Sequence, residues 1–374
     1  MKILMWISRI LLGGVFVFSG FVKAIDPLGS AYKFQDYFLA FNIESLFPIA
    51  LPLAVLLSTL EFVVGAGVLL GLKWRLSLLG GLFFMLFFTP LTLYIALTDP
   101  VPDCGCFGDA IIISNWETFY KNVVILLAAL FLYFKRNRFK SYISEKTSTI
   151  FLSLITLGVV LLSIFCLRNL PIIDFRPWKV GNKISEQVLP QAEISDVYLI
   201  FEHVETGEIR EYPANDYPWD DPEWVESWTF RDQRREVVQA YQEAPIASFY
   251  IENEFGDDLT DFFISEPGYV FIVAAYDLYS TRSRAFSKRI TPLALEAEAA
   301  GHTFIVLTGS SYEAIETFRH QHQTPYPFYL SDEIELKTMI RSNPGLVLLK
   351  GGEIKGKWAH RNIPPFEELQ KMMK

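Results

Sequence analysis

The sequence predicts an α-helical membrane bundle followed by an acidic α/β domain held outside the membrane. Five apolar stretches long enough to cross a bilayer all begin before residue 170. Only nine of the forty-two acids lie in that half, so residues 171–374 carry a net charge of about −13. From residue 246 onward, short buried-strand runs alternate with helical ones. A soluble piece of about 200 residues can bury a core of its own. Its acidity argues against nucleic acid and against an anionic lipid surface as partner.

A span needs about 20 mostly apolar residues. The candidates are 3–23, 47–71, 74–98, 115–134 and 149–169. The first is expected to be retained rather than cleaved as a signal: Arg9 interrupts it, no clean small-x-small site follows, and more spans come after. Orientation follows from Lys and Arg. "LKWR" after the second span and "KRNRFK" after the fourth belong in the cytoplasm. Alternation then puts the amino terminus inside, and the 24–46 segment, the 99–114 loop and everything after Leu170 outside.

The 99–114 loop contains "PDCGCFGD", with Asp99, Asp103 and Asp109 and no base. Thiols facing an oxidising compartment can form and exchange disulfides. A bridge across Cys104-Gly105-Cys106 would close a very small ring, a geometry that glycine tolerates and that makes a disulfide more oxidising. Lys23, at the outer end of the first span, could stabilise a thiolate, whereas Asp103 and Asp109 would oppose it. Two readings stay open: an exchanging pair, or a permanent brace in a tight turn. Two thiolates without a CxxC or histidine cluster are a poor metal site. Cys166, one turn from the outer end of the fifth span, is either a third redox partner or an apolar filler.

Arg9 and Glu61 are costly in hydrocarbon and must face the bundle interior or find partners. Pairing with each other would lock two helices, and a proton- or quinone-linked role is the alternative. Pro90 is expected to kink the third span, and Gly13, Gly14, Gly65 and Gly67 permit close helix contacts.

"SRILLGGVFVFSGFVKAIDP" and "TLEFVVGAGVLLGL" resemble the opening helices of the DoxX family, and "DCGCFGD" ahead of a fourth helix is similar to its MauE branch. The likeness covers about residues 1–135. It implies a four-helix bundle in a bacterial inner membrane, associated with periplasmic thiol redox and the maturation of disulfide-containing proteins. Carried over by position, it points to Cys104 and Cys106, and further to Lys23 and Glu61. Residues 136–170 add a basic loop and a fifth helix.

In the outer half, residues 171–245 read as a Pro-rich tether and a β-hairpin across a Thr-Gly turn, "DVYLIFEHVETGEIREYPA". The mixed "NDYPWDDPEWVESWTFRD" reads as a loop with aromatic anchors. "IASFYIENEFGDDLTDFFI" suggests a strand, a glycine turn and a helix start. Then come strand "YVFIVAAYDL", a helix ended by Gly301, strand "TFIVLTG", a helix capped by Ser310 or Ser311, hairpin "NPGLVLLKGGEIKGKW" and a closing helix behind prolines. "RSNPGLVLLKGGEIKGKW" resembles thioredoxin and TlpA-like proteins, which implies a thioredoxin-like domain over 246–374 with Pro344 as its cis-proline. The stretch where that family keeps its nucleophile, "AAYDLYSTRSRAF", has no cysteine, so this domain cannot exchange disulfides itself. Tyr276, Asp277, Tyr279, Ser280, Thr281 and Arg282 would line the corresponding face, open to an envelope client or partner, or merely solvated.

Two functions follow. The first is a membrane thiol-redox protein in which Cys104 and Cys106 exchange disulfides with an envelope client, passing electrons to a carrier in the bundle for which a membrane quinone is a candidate. The second is a non-catalytic scaffold or accessory subunit of an envelope complex, favoured by the missing CxxC. A transporter ranks third, since the spans show little sign of a substrate path.

Overall fold

The computed structural model describes residues 1–139, 143–190, 192–241 and 244–373. Lys140 of the expected basic loop and Lys374 of the closing helix lie outside these. Five helices are long and apolar enough to cross a membrane. They are α1 (Lys2–Ile25), α3 (Ala50–Leu70, extended backwards by a 3-10 turn over Glu44–Ile49), α4 (Trp74–Thr98), α5 (Asn115–Phe134) and α6 (Glu145–Arg168). Between the first two lies a helix not read from the sequence, α2 (Pro27–Ala40), started by Asp26, whose carboxylate accepts from Gly29 N at 2.9 Å. The start of α5 is fixed by a capping box between Ser114 and Glu117.

The closest helix pair is α1 with α3. At Gly20 an added Cβ would lie 2.5 Å from Phe62 N and 2.7 Å from Ser58 O, both backbone atoms, so only hydrogen fits. Gly13 and Gly65 meet across the same seam, Gly67 makes room for Ser77, and Gly14 has nothing within 4 Å. Gly20→Ala is therefore expected to lower the melting temperature of the detergent-solubilised protein, by overpacking worth about 1–3 kcal/mol. Gly14→Ala should leave it unchanged or slightly raised, since alanine is the better helix former. Equal melting of the two variants would contradict this seam.

Arg9 does not pair with Glu61. Its guanidinium donates to Val68 O at 2.8 Å and Leu69 O at 2.6 Å, and lies over the rings of Trp6, Trp74 and Phe139. The last carbonyls of α3 lack intrahelical partners, and a buried cation supplies them. Pro90 lies inside α4.

The expected tether is not a free linker. Trp178 and Ile184 are fully buried, and a short helix α7 (Ile184–Gln187) follows. The hairpin forms as β1 (Ile194–His203) with β2 (Ile209–Pro213), antiparallel. After helix α8 (Pro222–Ser227) the chain returns as β3 (Trp228–Gln239), giving a sheet in the order β2-β1-β3. The aromatic loop packs on this sheet: Trp224 meets Phe201 edge-on at 4.7 Å, and Tyr217 stacks on Phe201 at 5.5 Å.

The second sheet runs β6 (Phe328–Leu330), β5 (Thr303–Thr308), β4 (Tyr269–Ala274), β7 (Gly345–Lys350), β8 (Glu353–Ala359). β5 is parallel to β4, and β7 antiparallel to it. Its two faces follow the strand alternation. Phe271 and Val273 face helices α10 (Thr291–Ala299), α11 (Tyr312–His322) and α13 (Phe366–Met373). Val270, Ile272 and Ala274 face Trp178, Ile184 and helix α12 (Glu333–Met339). The strand expected near Ile246 is absent as a ladder: Ile246 and Ile251 are buried, only Glu252 makes isolated bridges, and helix α9 (Thr260–Ile264) follows. The Asn343–Pro344 bond is cis.

Candidate functional site

The thiols sit on a loop shaped by its own backbone. Gly105 has φ +66°, a left-handed conformation that places Cys104 and Cys106 on one side. Asp103 Oδ1 accepts from Gly105 N at 2.8 Å, and Gly108 N donates to Gly105 O at 3.1 Å. The result brings Sγ of Cys104 to 3.0 Å from Sγ of Cys106, both thiols free and half-buried.

Neighbouring helices hold the loop. Tyr37 on α2 donates to Cys104 O at 3.0 Å, and Lys33, one turn before it, binds Asp103 at 2.7 Å. Ser19 on α1 lies 2.7 Å from Cys106 O and 2.9 Å from Glu61 Oε2. A hydroxyl has one proton, so Ser19 serves one of these two acceptors at a time. Lys23 binds both oxygens of Glu61, at 2.8 and 3.0 Å, and donates to Ser19 at 2.8 Å. Glu61 thus belongs to the thiol end of the bundle, while Arg9 serves the other end of α3.

The two sulfurs are made unequal. The hydrogen bond from Cys104 pulls Cys106 down to about 6; burial opposes this, Lys121 and Lys23 favour it and Glu61 resists. The same hydrogen bond, with burial, pushes Cys104 far up. The shifts make Cys106 the more acidic of the pair and Cys104 the one that keeps its proton. The loop's own acids do not oppose this as the sequence suggested, because Asp103 is neutralised by Lys33 and Asp109 by Arg341.

Arg341, just before β7, ties the outer lobe to this loop. Its Nε lies 2.9 Å from Asp26 Oδ2, and its Nη2 2.9 Å from Asp109 Oδ2. Burial would raise Asp26, yet Arg341 and Arg176 together hold it below the usual range. Tyr276, expected on a partner-binding face, instead meets Tyr32 of α2, hydroxyl to hydroxyl at 3.1 Å. Asn343 donates to Asp277 O at 2.8 Å and to Ser280 at 3.2 Å, and accepts from Arg282 N at 3.2 Å. The Thr281 hydroxyl is buried without a partner among the described residues, while Tyr279 stands 84% exposed. Pro344 follows Asn343, at the edge of this contact.

Beneath the thiols is a cavity of about 600 Å³. Cys104, Cys106, Ser19, Lys23 and Glu61 are among its polar lining, with Lys33, Tyr37, Lys121 and Asn122, and most of the remainder is aliphatic or phenyl. Cys166 is buried on α6 and is not part of this wall.

Residues 1–135 match the family described as methylamine utilisation protein MauE. The match is to the helical part of the chain that holds the thiol loop. With its five apolar helices the chain is a multi-pass membrane protein seated in a lipid bilayer. The MauE-type region contains the thiol loop, Lys23 and Glu61, whereas Arg341 and Tyr276 come from beyond it. No curated protein matches the chain. Lys33, Tyr37 and Arg341 escaped the sequence reading. The Lys33/Tyr37 spacing of four, behind an Asp-Pro helix start, was the available signal for the first two.

Proposed function

We propose that this protein is a thiol–disulfide redox protein of the bacterial cell envelope. Cys106 is the attacking thiolate, Cys104 the thiol that resolves, and the outer lobe the element that docks on the thiol loop and presents a client. The observation that carries this is the close pair itself: two free sulfurs 3.0 Å apart, whose surroundings push their acidities in opposite directions. A permanent brace needs no such asymmetry.

The reading places the thiol loop and the lobe in the periplasm, with the amino terminus in the cytoplasm. Its supports are the basic turns on the opposite side and the ion pairs from Arg341 to Asp26 and Asp109, which require loop and lobe to share one aqueous face. The thioredoxin-like reading of residues 246–374 is supported by a central β4 flanked by parallel β5 and antiparallel β7. A non-catalytic accessory subunit is the second reading, favoured because Tyr276 engages the chain's own α2 rather than standing free.

Cys104→Ser should accumulate mixed disulfides between Cys106 and envelope proteins, separable on non-reducing gels, and Cys106→Ser should abolish them. Adducts in neither variant, alongside stable stoichiometric copurification with a complex, would favour the accessory reading.

A further inference from the structure

A thiol pair that cycles must hand its electrons on, and the cavity beneath it has a shape and chemistry that select the acceptor. Its volume, about 600 Å³, is that of a site for a ring with part of an alkyl tail. Beside the thiols the wall is polar. There Lys23, Ser19 and Glu61 form a hydrogen-bonded cluster beside Cys106. Most of the rest is apolar, though Lys121 and Asn122 also line it, and its rim includes Leu56 and Leu60 of α3 with Phe83 and Phe87 of α4, all four exposed on the outside of the bundle. In a bilayer that rim faces hydrocarbon, so an occupant would arrive from the lipid and not from water.

We propose that the cavity binds a lipid-soluble quinone, with its ring against the Cys104–Cys106 pair and its tail leaving between α3 and α4. This rests on the thiol-redox reading and adds the oxidant. The step balances. An S–S bond forms between Cys104 and Cys106: the Cys106 thiolate and the Cys104 thiol give up two electrons and one proton, and the second proton comes from water at the outer face. The quinone takes the two electrons and both protons, so its two carbonyl oxygens become hydroxyls. Lys23 lies in the cavity wall with its three donors on Glu61 and Ser19; turning one of them from Glu61 would let it hydrogen-bond the oxygen that gains charge. A phospholipid tail could fill the apolar part but would leave the polar end without a use.

The test uses the full chain, reduced, in nanodiscs without oxygen, with decylubiquinone as probe. The expected result is one quinol formed for each Cys104–Cys106 pair lost to maleimide, with no loss in quinone-free discs. Leu60→Trp, and separately Leu56→Trp, narrows the mouth from the lipid-facing side and should raise the quinone concentration for half-maximal oxidation by tenfold or more. The Cys104→Ser/Cys106→Ser variant should still bind the probe but form no quinol. If diamide closes the pair while decylubiquinone neither binds nor oxidises it, the cavity proposal is overturned and the redox reading stands. If the probe binds but the pair cannot be oxidised even by diamide, the redox reading falls instead. Unchanged quinone dependence in both tryptophan variants, or a tightly held phospholipid that the probe does not displace, also overturns the proposal.

Discussion

Alkylation of Cys106 by iodoacetamide is expected to follow an ionisation with a midpoint near pH 6. The cause is the Cys104 proton directed at its sulfur, reinforced by Lys121 and Lys23. The sign is that of a depressed acid: reactivity is full above the midpoint and is lost as pH falls through it. At pH 7 such a group holds roughly 30-fold more thiolate than a free thiol with pKa about 8.5. The rate itself rises less, because nucleophilicity falls with basicity, so the midpoint is the sharper reading. Cys104→Ala removes the donor and should move the midpoint upward by more than one unit. Cys104→Ser keeps a hydroxyl and should move it less. A midpoint above pH 8 in the unmodified protein would show that burial wins over the hydrogen bond.

Arg341→Ala releases the outer lobe from the thiol loop. Arg341 is nearly buried and holds two carboxylates, so its removal takes the direct ion-pair partner from both Asp26 and Asp109 and leaves them the weaker attraction of Arg176. Breaking a fully buried pair costs about 3–5 kcal/mol. The side chain of Asp109 is 37% exposed and Asp26 18%, so solvent screening brings the expectation to about 2–3 kcal/mol. That corresponds to roughly 30- to 150-fold in the opening equilibrium. The tether residues Pro171, Ile173 and Phe175 share the cavity wall with the thiols, so opening should uncover them. A bulky maleimide should then label Cys106 more than tenfold faster, with a much smaller change for iodoacetamide. Arg341→Lys should restore only part of the protection, because an ammonium lacks the fork that spans two carboxylates. Unchanged labelling and an unchanged proteolysis pattern in Arg341→Ala would remove the latch from the account.

The membrane helices were legible because hydrocarbon imposes one rule on every residue of a span. The runs 74–98 and 115–134 coincide with α4 and α5 to the residue. Where burial is shared among lobes, the signal faded. Helix α2 escaped because Lys33, Gln35 and Asp36 interrupt its apolar residues, and it lies against the bundle without crossing. Strand β3 escaped because it is exposed along nearly its whole length and rich in charge, held by the ladder to β1 rather than by a buried face. The run at Ile246 misled in the opposite sense, since its apolar residues are buried without ladder partners.

The thiols could be singled out from composition and sidedness alone. Their surroundings could not, because helix register decides which charge meets which. Arg9 and Glu61 looked like partners as two lone charges in apolar spans. In the fold the unpaired carbonyls at the end of α3 take Arg9, and Lys23 reaches Glu61 across the α1–α3 seam. Arg341 lies 315 residues from Asp26, a distance over which a single sequence carries no pairing signal.

The most direct test is the redox state of the Cys104–Cys106 pair in native membranes equilibrated against a graded series of glutathione poises, quenched and read by thiol trapping. The account predicts one reversible two-electron transition between a doubly labelled and an unlabelled form, with Cys166 unchanged. A pair that stays in one state across the whole series would contradict it.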